Sequence, residues 1–284
     1  MATTWEIRLP SEDQAYARQA AAEAFREVDR IERLLSRFQE GGEIWCVNHL
    51  RTGGQLQISE ETHECLLRAM KMHEVSGGAF HPGMGGVMDR VRAEEDWSPE
   101  LRVLDQGCLV VDEQDPVVAC AAEGFQIDLG AIGKGYALDR LRILLEEWGF
   151  SRMLLNAGGS SLLGIGQAWE LRLLGDSIRP IIKLQDVAVG SSGTSVQGRH
   201  IVDPRRGVRE ARHHRSWAFH HEAAYSDALS TAAMLMEPEE IARMLADLAE
   251  PCVVLLETRE GNRLVKRLHV SSDELARDLG LLKT

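Results

Sequence analysis

The chain has 284 residues, of which 44% are apolar and 27% charged. That balance suits a globular protein and excludes a disordered one. Its 32 basic and 44 acidic residues leave a net charge of −12, which argues against sequence-blind nucleic-acid binding and against docking on anionic membranes, though not against a small anionic ligand in a local site.

Thr4 to Leu9 alternates apolar and polar residues and reads as a strand stopped by Pro10. Ser11 and Gln14 then have the spacing of a capping box, so Ser11 is the expected N-cap. Ala24, Val28, Ile31 and Leu35 give the helix that follows one apolar face. A second helix is expected from Ser59, with Leu66, Leu67 and Met70 inward and Gly77-Gly78 ending it. The run Gly77 to Gly86 holds five glycines and is either a flexible loop or backbone that closely approaches a ligand.

Residues 91–124 read as irregular, with a short strand at Cys108 to Val111. Phe125 to Leu129 alternates like a strand and runs into the glycine-rich turn Gly130 to Lys134, which opens a helix closed by Gly149. Strands are expected at Met153 to Asn156, Trp169 to Leu174, Ile181 to Val189, His200 to Val202 and Arg215 to His221. Helices are expected from near Asp227, from Glu237-Pro238 and from Ser272. Val253 to Leu256 and Val265 to His269 form a hairpin around Glu260 to Asn262. Strands and helices mix without strict alternation, so the expected class is α+β, with mixed or antiparallel sheets packed against helices. The length allows one large domain or two lobes.

The longest uncharged apolar stretch, Ala228 to Met236, is far short of the roughly 20 residues a membrane helix needs. The first residues show no leader pattern, so the chain reads as cytoplasmic or as an exported chain without its leader. Five cysteines with no C-x-x-C pair argue against a disulfide framework and a cysteine zinc site.

Four segments could carry chemistry. Asp128 to Tyr136 joins a strand, a glycine-rich turn, Lys134 and a helix start, a combination that suits a phosphate group. It departs from the P-loop pattern, and a plain turn with an exposed lysine is the competing reading. Asp227 and Thr231 are four apart, on one helix face, and offer hard oxygen ligands to Mg²⁺; an aspartate near a helix N-terminus would look the same. His200 and Asp203 could be an acid–base pair or part of an Asp-Pro turn. Asn156 to Gly159 could admit a ligand or simply turn the chain. His213, His214, His220 and His221 invite a zinc reading, but adjacent strand residues point to opposite faces and no acidic or cysteine partner sits at ligand spacing.

The order of these segments resembles the ApbE family, the FAD:protein FMN transferases once called thiamine-biosynthesis lipoproteins. The resemblance runs from Met1 to about Leu256, through Ile31 to Phe38, Gly78 to Pro82, Asp128 to Ala137, Asn156 to Gly159, Ser192-Gly193, His200 to Gly207 and Ser226 to Ala232. It implies one flavin-transferase domain over residues 1–284, possibly in two lobes. It implies transfer of FMN from FAD to a threonine or serine of an acceptor protein, with release of AMP. FAD hydrolysis to FMN and AMP, or flavin binding without turnover, are the alternatives. It places Mg²⁺ on the Ala131 carbonyl, Asp227 and Thr231, with Ser230 nearby. It places FAD along Met1, Ala79, Phe80, His81, Asp128, Lys134 and Ile201. Lys134 would share the phosphate charge, and His200 or Asp203 would take the acceptor's proton. The family loop A-F-D-P-T stands here as Ala79-Phe80-His81-Pro82-Gly83, and its T-S-G as Ser191-Ser192-Gly193. The imidazole of His81 in place of an aspartate predicts a pH-dependent FAD affinity.

Overall fold

A computed structural model describes residues 3–104, 109–194, 201–209, 211–261 and 263–282. Met1, Cys108, His200 and Asn262, to which the sequence assigns roles or places in elements, lie outside the described residues.

A seven-stranded antiparallel sheet organises the molecule. Its strands are β1 (Trp5–Arg8), β5 (Met153–Ala157), β6 (Ser161–Ile165), β9 (Val187–Gly193), β10 (Arg215–His220), β11 (Val253–Glu260) and β12 (Arg263–Val270), in that spatial order. A three-stranded sheet joins β2 (Gln55–Gln57), β4 (Val117–Cys120) and β3 (Leu109–Val111). A two-stranded one pairs β7 (Trp169–Arg172) with β8 (Ile181–Leu184). This α+β arrangement is the expected class.

Helices cover one face of the large sheet. They include α1 (Gln14–Leu35), α3 (Glu60–Val75), α6 (Gly133–Glu147), α7 (Ala223–Ala233) and α8 (Pro238–Leu248). Ala17, Ala20 and Ala24 of α1 share a core with Leu138, Leu141 and Leu145 of α6. Each such buried leucine contributes roughly 1.5–3 kcal/mol. The other face is covered by the β7–β8 pair and α9 (Asp273–Asp278), over Trp217, Phe219, Val253 and Leu255.

Two glycines decide how closely α7 is held. A Cβ on Gly135 would lie 2.0 Å from the Ala223 carbonyl oxygen, and one on Gly190 would lie 2.3 Å from that of Ser226. Helix α7 therefore rests backbone-close on both α6 and β9.

Several sequence expectations are corrected. The N-cap of α1 is Asp13, whose side chain accepts from the Ala15 and Tyr16 N–H groups; Gln14 does reach back, to the Ser11 carbonyl at 2.7 Å. Met70 is 38% exposed, because the buried stripe of α3 runs through Leu66, Ala69 and Met72. The short helices α2 (Glu43–Val47), α4 (Gly85–Ala93) and α5 (Ser98–Leu104) carry too little apolar periodicity to announce themselves. Strand β6 follows directly on the turn at 158–160, where only a turn was legible.

Phe125 to Leu129 forms no strand; among the described residues it has one isolated parallel bridge, between Gln126 and Met84. Asn48 accepts from Ile127 N–H and donates to its carbonyl, while Asp128 N–H donates to Pro82. Ile181 to Val189 is two strands in two sheets, broken at Asp186 with φ of 55°. Ile201 and Val202 form no strand; among the described residues the only pairing there is a bridge between Asp203 and Val208. Helix α7 begins at Ala223, with Glu222 in the N-cap position but making no side-chain cap bond, rather than near Asp227. Asp227 thus sits inside the helix, and a helix-terminal explanation for it fails. No helix among the described residues is long and apolar enough to cross a membrane.

Candidate functional site

Helices α6 and α7 cross where Gly135 has no side chain, and at that crossing Asp227 meets the start of α6. Asp227 Oδ2 accepts from the Gly135 N–H at 2.8 Å, and Oδ1 accepts from the Ser161 hydroxyl at 2.5 Å. Lys134 Nζ stands 3.6 Å from Oδ2. Burial pushes the Asp227 carboxyl above the usual carboxylate range, against the pull of Lys134, Ser161 and Gly135.

In a regular helix the Gly135 N–H would donate to the carbonyl four residues back, Ala131. Here it goes to Asp227, and among the described residues no backbone N–H takes its place on the Ala131 carbonyl. Thr231 lies one turn along α7 from Asp227. Its hydroxyl is 3.4 Å from the Asp227 carbonyl and 3.2 Å from the Ser192 hydroxyl, which is also 2.9 Å from Ser230. A spare carbonyl, a carboxylate and hydroxyls are the oxygen donors a hard cation takes, so the residues present fit Mg²⁺.

Asp128 is tied to a residue the sequence reading passed over. Arg37, its side chain 6% exposed, donates from Nε to Asp128 Oδ2 at 2.9 Å and forks onto Asp89 through Nη1 and Nη2. Asp128 Oδ1 accepts from Gly130 N–H at 2.8 Å and so shapes the turn. Asp139 on α6 caps α7 by accepting from the Ala223 and Ala224 N–H groups; burial raises its carboxyl to about 7. Neither role had a local signal, since each partner is distant in sequence.

The Ala79 to Gly83 loop lies against Phe125 and the chain leading to Asp128. Ala79 and Phe80 are both 2% exposed and belong to the core. The loop can therefore offer a ligand its backbone and His81, not the Phe80 ring. His81 Nδ1 accepts from Gly83 N–H, and its ring packs edge-on to His73 at 4.4 Å. Burial, then His73, lowers His81 to about 4. The ring is neutral near neutrality, which corrects the expectation of a charge change there.

Asp203 is 1% exposed and is claimed by Arg205. The guanidinium reaches Oδ1 at 3.0 Å and Oδ2 at 2.9 Å, and the Arg205 N–H adds a third bond. Its carboxyl is lowered by these Arg205 hydrogen bonds, against the opposing effect of burial. Arg205 continues to Glu240 and the Leu235 carbonyl beyond the end of α7. Ile201 is half-buried against the main core. Asp203 is thus separate from the hydrogen-bonded cluster around Asp227.

His214, His220 and His221 find acidic partners from far along the chain, while His213 bonds Thr258 and the Met236 carbonyl. His220 and His221 stack at 4.3 Å and approach Glu250 Oε2 at 3.0 and 3.3 Å. They share one side because β10 ends at His220. His220 Nδ1 accepts from Glu222 N–H, so Nε2 of the neutral ring carries the proton and has no lone pair for a metal. His214 meets Asp176, beside buried Glu257.

The fold and this cluster define an oxygen-rich site set where a glycine-rich turn opens a helix. The chain belongs to the ApbE family, whose model matches residues 1–256. It is 22% identical over 245 residues to a FAD:protein FMN transferase of Klebsiella pneumoniae, covering 73% of this chain and 68% of that one. It is 20% identical to one of Escherichia coli, covering 92% and 83%. The structure superposes on the apo flavinyl transferase ApbE of Pseudomonas stutzeri with a TM-score of 0.83 at 19% identity, covering 99% and 94%.

Proposed function

We propose that this chain transfers FMN from FAD to a threonine or serine hydroxyl of an acceptor protein, releasing AMP, with Mg²⁺ held by the Ala131 carbonyl, Asp227 and Thr231. The observation that carries this is the diversion of the Gly135 N–H to Asp227, which frees the Ala131 carbonyl beside a carboxylate. The names of the curated relatives support the reaction class.

Bound there, the cation would supply positive charge to the pyrophosphate oxygens. The chain's own residues do the rest. At the start of α6 the Gly133 and Gly135 N–H groups are taken by the Leu129 carbonyl and Asp227, so among the described residues there the Lys134 N–H is the one left to meet a phosphate. Lys134, 24% exposed, can turn its ammonium from Asp227 toward the same oxygens. Arg37 fixes Asp128 and with it the entry to the turn. The 79–83 backbone, neutral His81, Ile201 and Met1 line the remaining length of FAD. His200 takes the acceptor's proton. Asp203, with both oxygens engaged by Arg205, is assigned to holding its loop rather than to proton transfer.

The test is to mix the protein with FAD and Mg²⁺, with and without a threonine-bearing acceptor fragment. AMP release that requires Mg²⁺, with an FMN-sized mass gain on the acceptor, is the expected result. AMP with no adduct means hydrolysis instead, and binding with neither product removes catalysis.

A further inference from the structure

The proposed chemistry leaves one oriented imidazole unused. Where β9 and β10 end, Arg215 pairs with Gly193, and Thr194 N–H donates to the His214 carbonyl at 3.2 Å. Thr194 Oγ1 lies 3.5 Å from His214 Nδ1 and 3.4 Å from the His214 carbonyl. On the far side of the ring, Nε2 bonds the Asp176 carboxylate. A carboxylate accepts only, so Nε2 carries the proton and Nδ1 of the neutral ring is the free base facing the hydroxyl. Hydroxyl, imidazole and carboxylate in this order are the general arrangement that activates an oxygen nucleophile.

The carboxylate is held from below. Glu257, 0% exposed, accepts at Oε1 from Ser177 N–H (2.6 Å), Ser177 hydroxyl (2.8 Å) and Ile178 N–H (3.0 Å), and at Oε2 from Asp176 N–H (3.2 Å). These donors use the acceptor capacity of Glu257, so the Asp176, His214 and Glu257 group is better suited to orienting a ring than to holding a metal. The dyad is also joined to the candidate phosphate site through β9. Ser192, whose hydroxyl touches Thr231 and Ser230, is two residues before Thr194. Strand β9 ends at Gly193, so Thr194 is the first residue beyond it, and two extended steps from Ser192 span about 7 Å at most. Thr194 is only half-buried.

We propose that Thr194 is itself a flavin acceptor, its hydroxyl aligned by His214 and Asp176 to take FMN from FAD as a phosphate ester on this same chain. This rests on the transferase reading above. The Oγ1–P bond forms as the P–O bond to AMP breaks. The hydroxyl proton passes to His214 Nδ1. The electron pair of the broken bond leaves with AMP.

The full chain is incubated with FAD and MgCl₂, then denatured; intact mass, fragment mass and released AMP are measured together. The expected result is a gain of one FMN less one water, mapped to Thr194. The gain disappears in Thr194→Val and persists in Thr194→Ser. It forms about 100-fold or more slowly in His214→Gln, and is also slowed in Asp176→Asn. AMP released without a mass gain, an adduct on another residue, or an adduct surviving Thr194→Val overturns self-labelling and leaves FAD cleavage standing. Neither AMP nor adduct overturns both readings.

Discussion

The Gly135 N–H donates to Asp227 Oδ2 at 2.8 Å across the crossing of α6 and α7. One bond thereby fixes three things: the carboxylate, the start of the glycine-rich helix and the open carbonyl of Ala131. The crossing exists because a Cβ at residue 135 would meet the Ala223 carbonyl oxygen at 2.0 Å.

Gly135→Ala tests that crossing. Backbone, not a flexible side chain, stands in the way, so α7 must move and carry Asp227 with it. The fold should lose roughly 1–3 kcal/mol, as overpacked sites do. Affinity for Mg²⁺ in the presence of FAD should fall at least about tenfold, a loss of about 1.4 kcal/mol. Thermal unfolding and calorimetric titration give the two values; an unshifted metal affinity would remove the crossing from the site.

Asp227→Asn keeps the shape and removes the charge. The amide can still accept from Ser161 or Gly135, so the chain should stay folded. Mg²⁺ binding and AMP release should both be lost, because among the described residues no other carboxylate bonds to this cluster. Near-wild-type titration of the folded variant would refute the metal assignment.

His81 predicts a pH effect of definite sign. Its pKa falls from 6.5 unfolded to about 4 folded, so the folded state binds the proton less well. Its contribution is fully present above pH 6.5 and is lost as pH falls toward about 4, by at most about 1.4 kcal/mol per unit. His81→Gln should therefore lose less stability than wild type over that window. FAD affinity should be flat from pH 7 to 8 in both proteins. A wild-type affinity that changes across pH 7 and flattens in the variant would show that the ring titrates where burial says it does not.

Asp203→Asn separates anchoring from proton transfer. Arg205 would keep its ion pair with Glu240 but lose the charge of Asp203, costing about 1.5–3 kcal/mol, the range for a hydrogen bond to a charged group. Denaturant unfolding should show that loss, and AMP release per folded molecule should change little. A stable variant with a collapsed turnover rate would restore Asp203 to the chemistry.

The sequence by itself determined what depends on local spacing and residue type. Ala24, Val28, Ile31 and Leu35 fall on one buried face because helical period alone puts them there. Asp227 and Thr231 share a face for the same reason, and Ser59 caps α3 through its own hydroxyl. The order of motifs carried the family. Tertiary structure decided which groups meet across the chain. Phe125 to Leu129 alternates like a strand, yet Asn48, Pro82 and Gly85 take its central backbone groups and only a single bridge to Met84 forms. Asp203 reads as a proton acceptor until Arg205 is seen on both oxygens. His81 reads as a charge switch until burial is known, because desolvation depends on neighbours from elsewhere in the chain. His214 finds Asp176 from 38 residues away. Such meetings come from packing an entire sheet and its helices, and no local pattern encodes them.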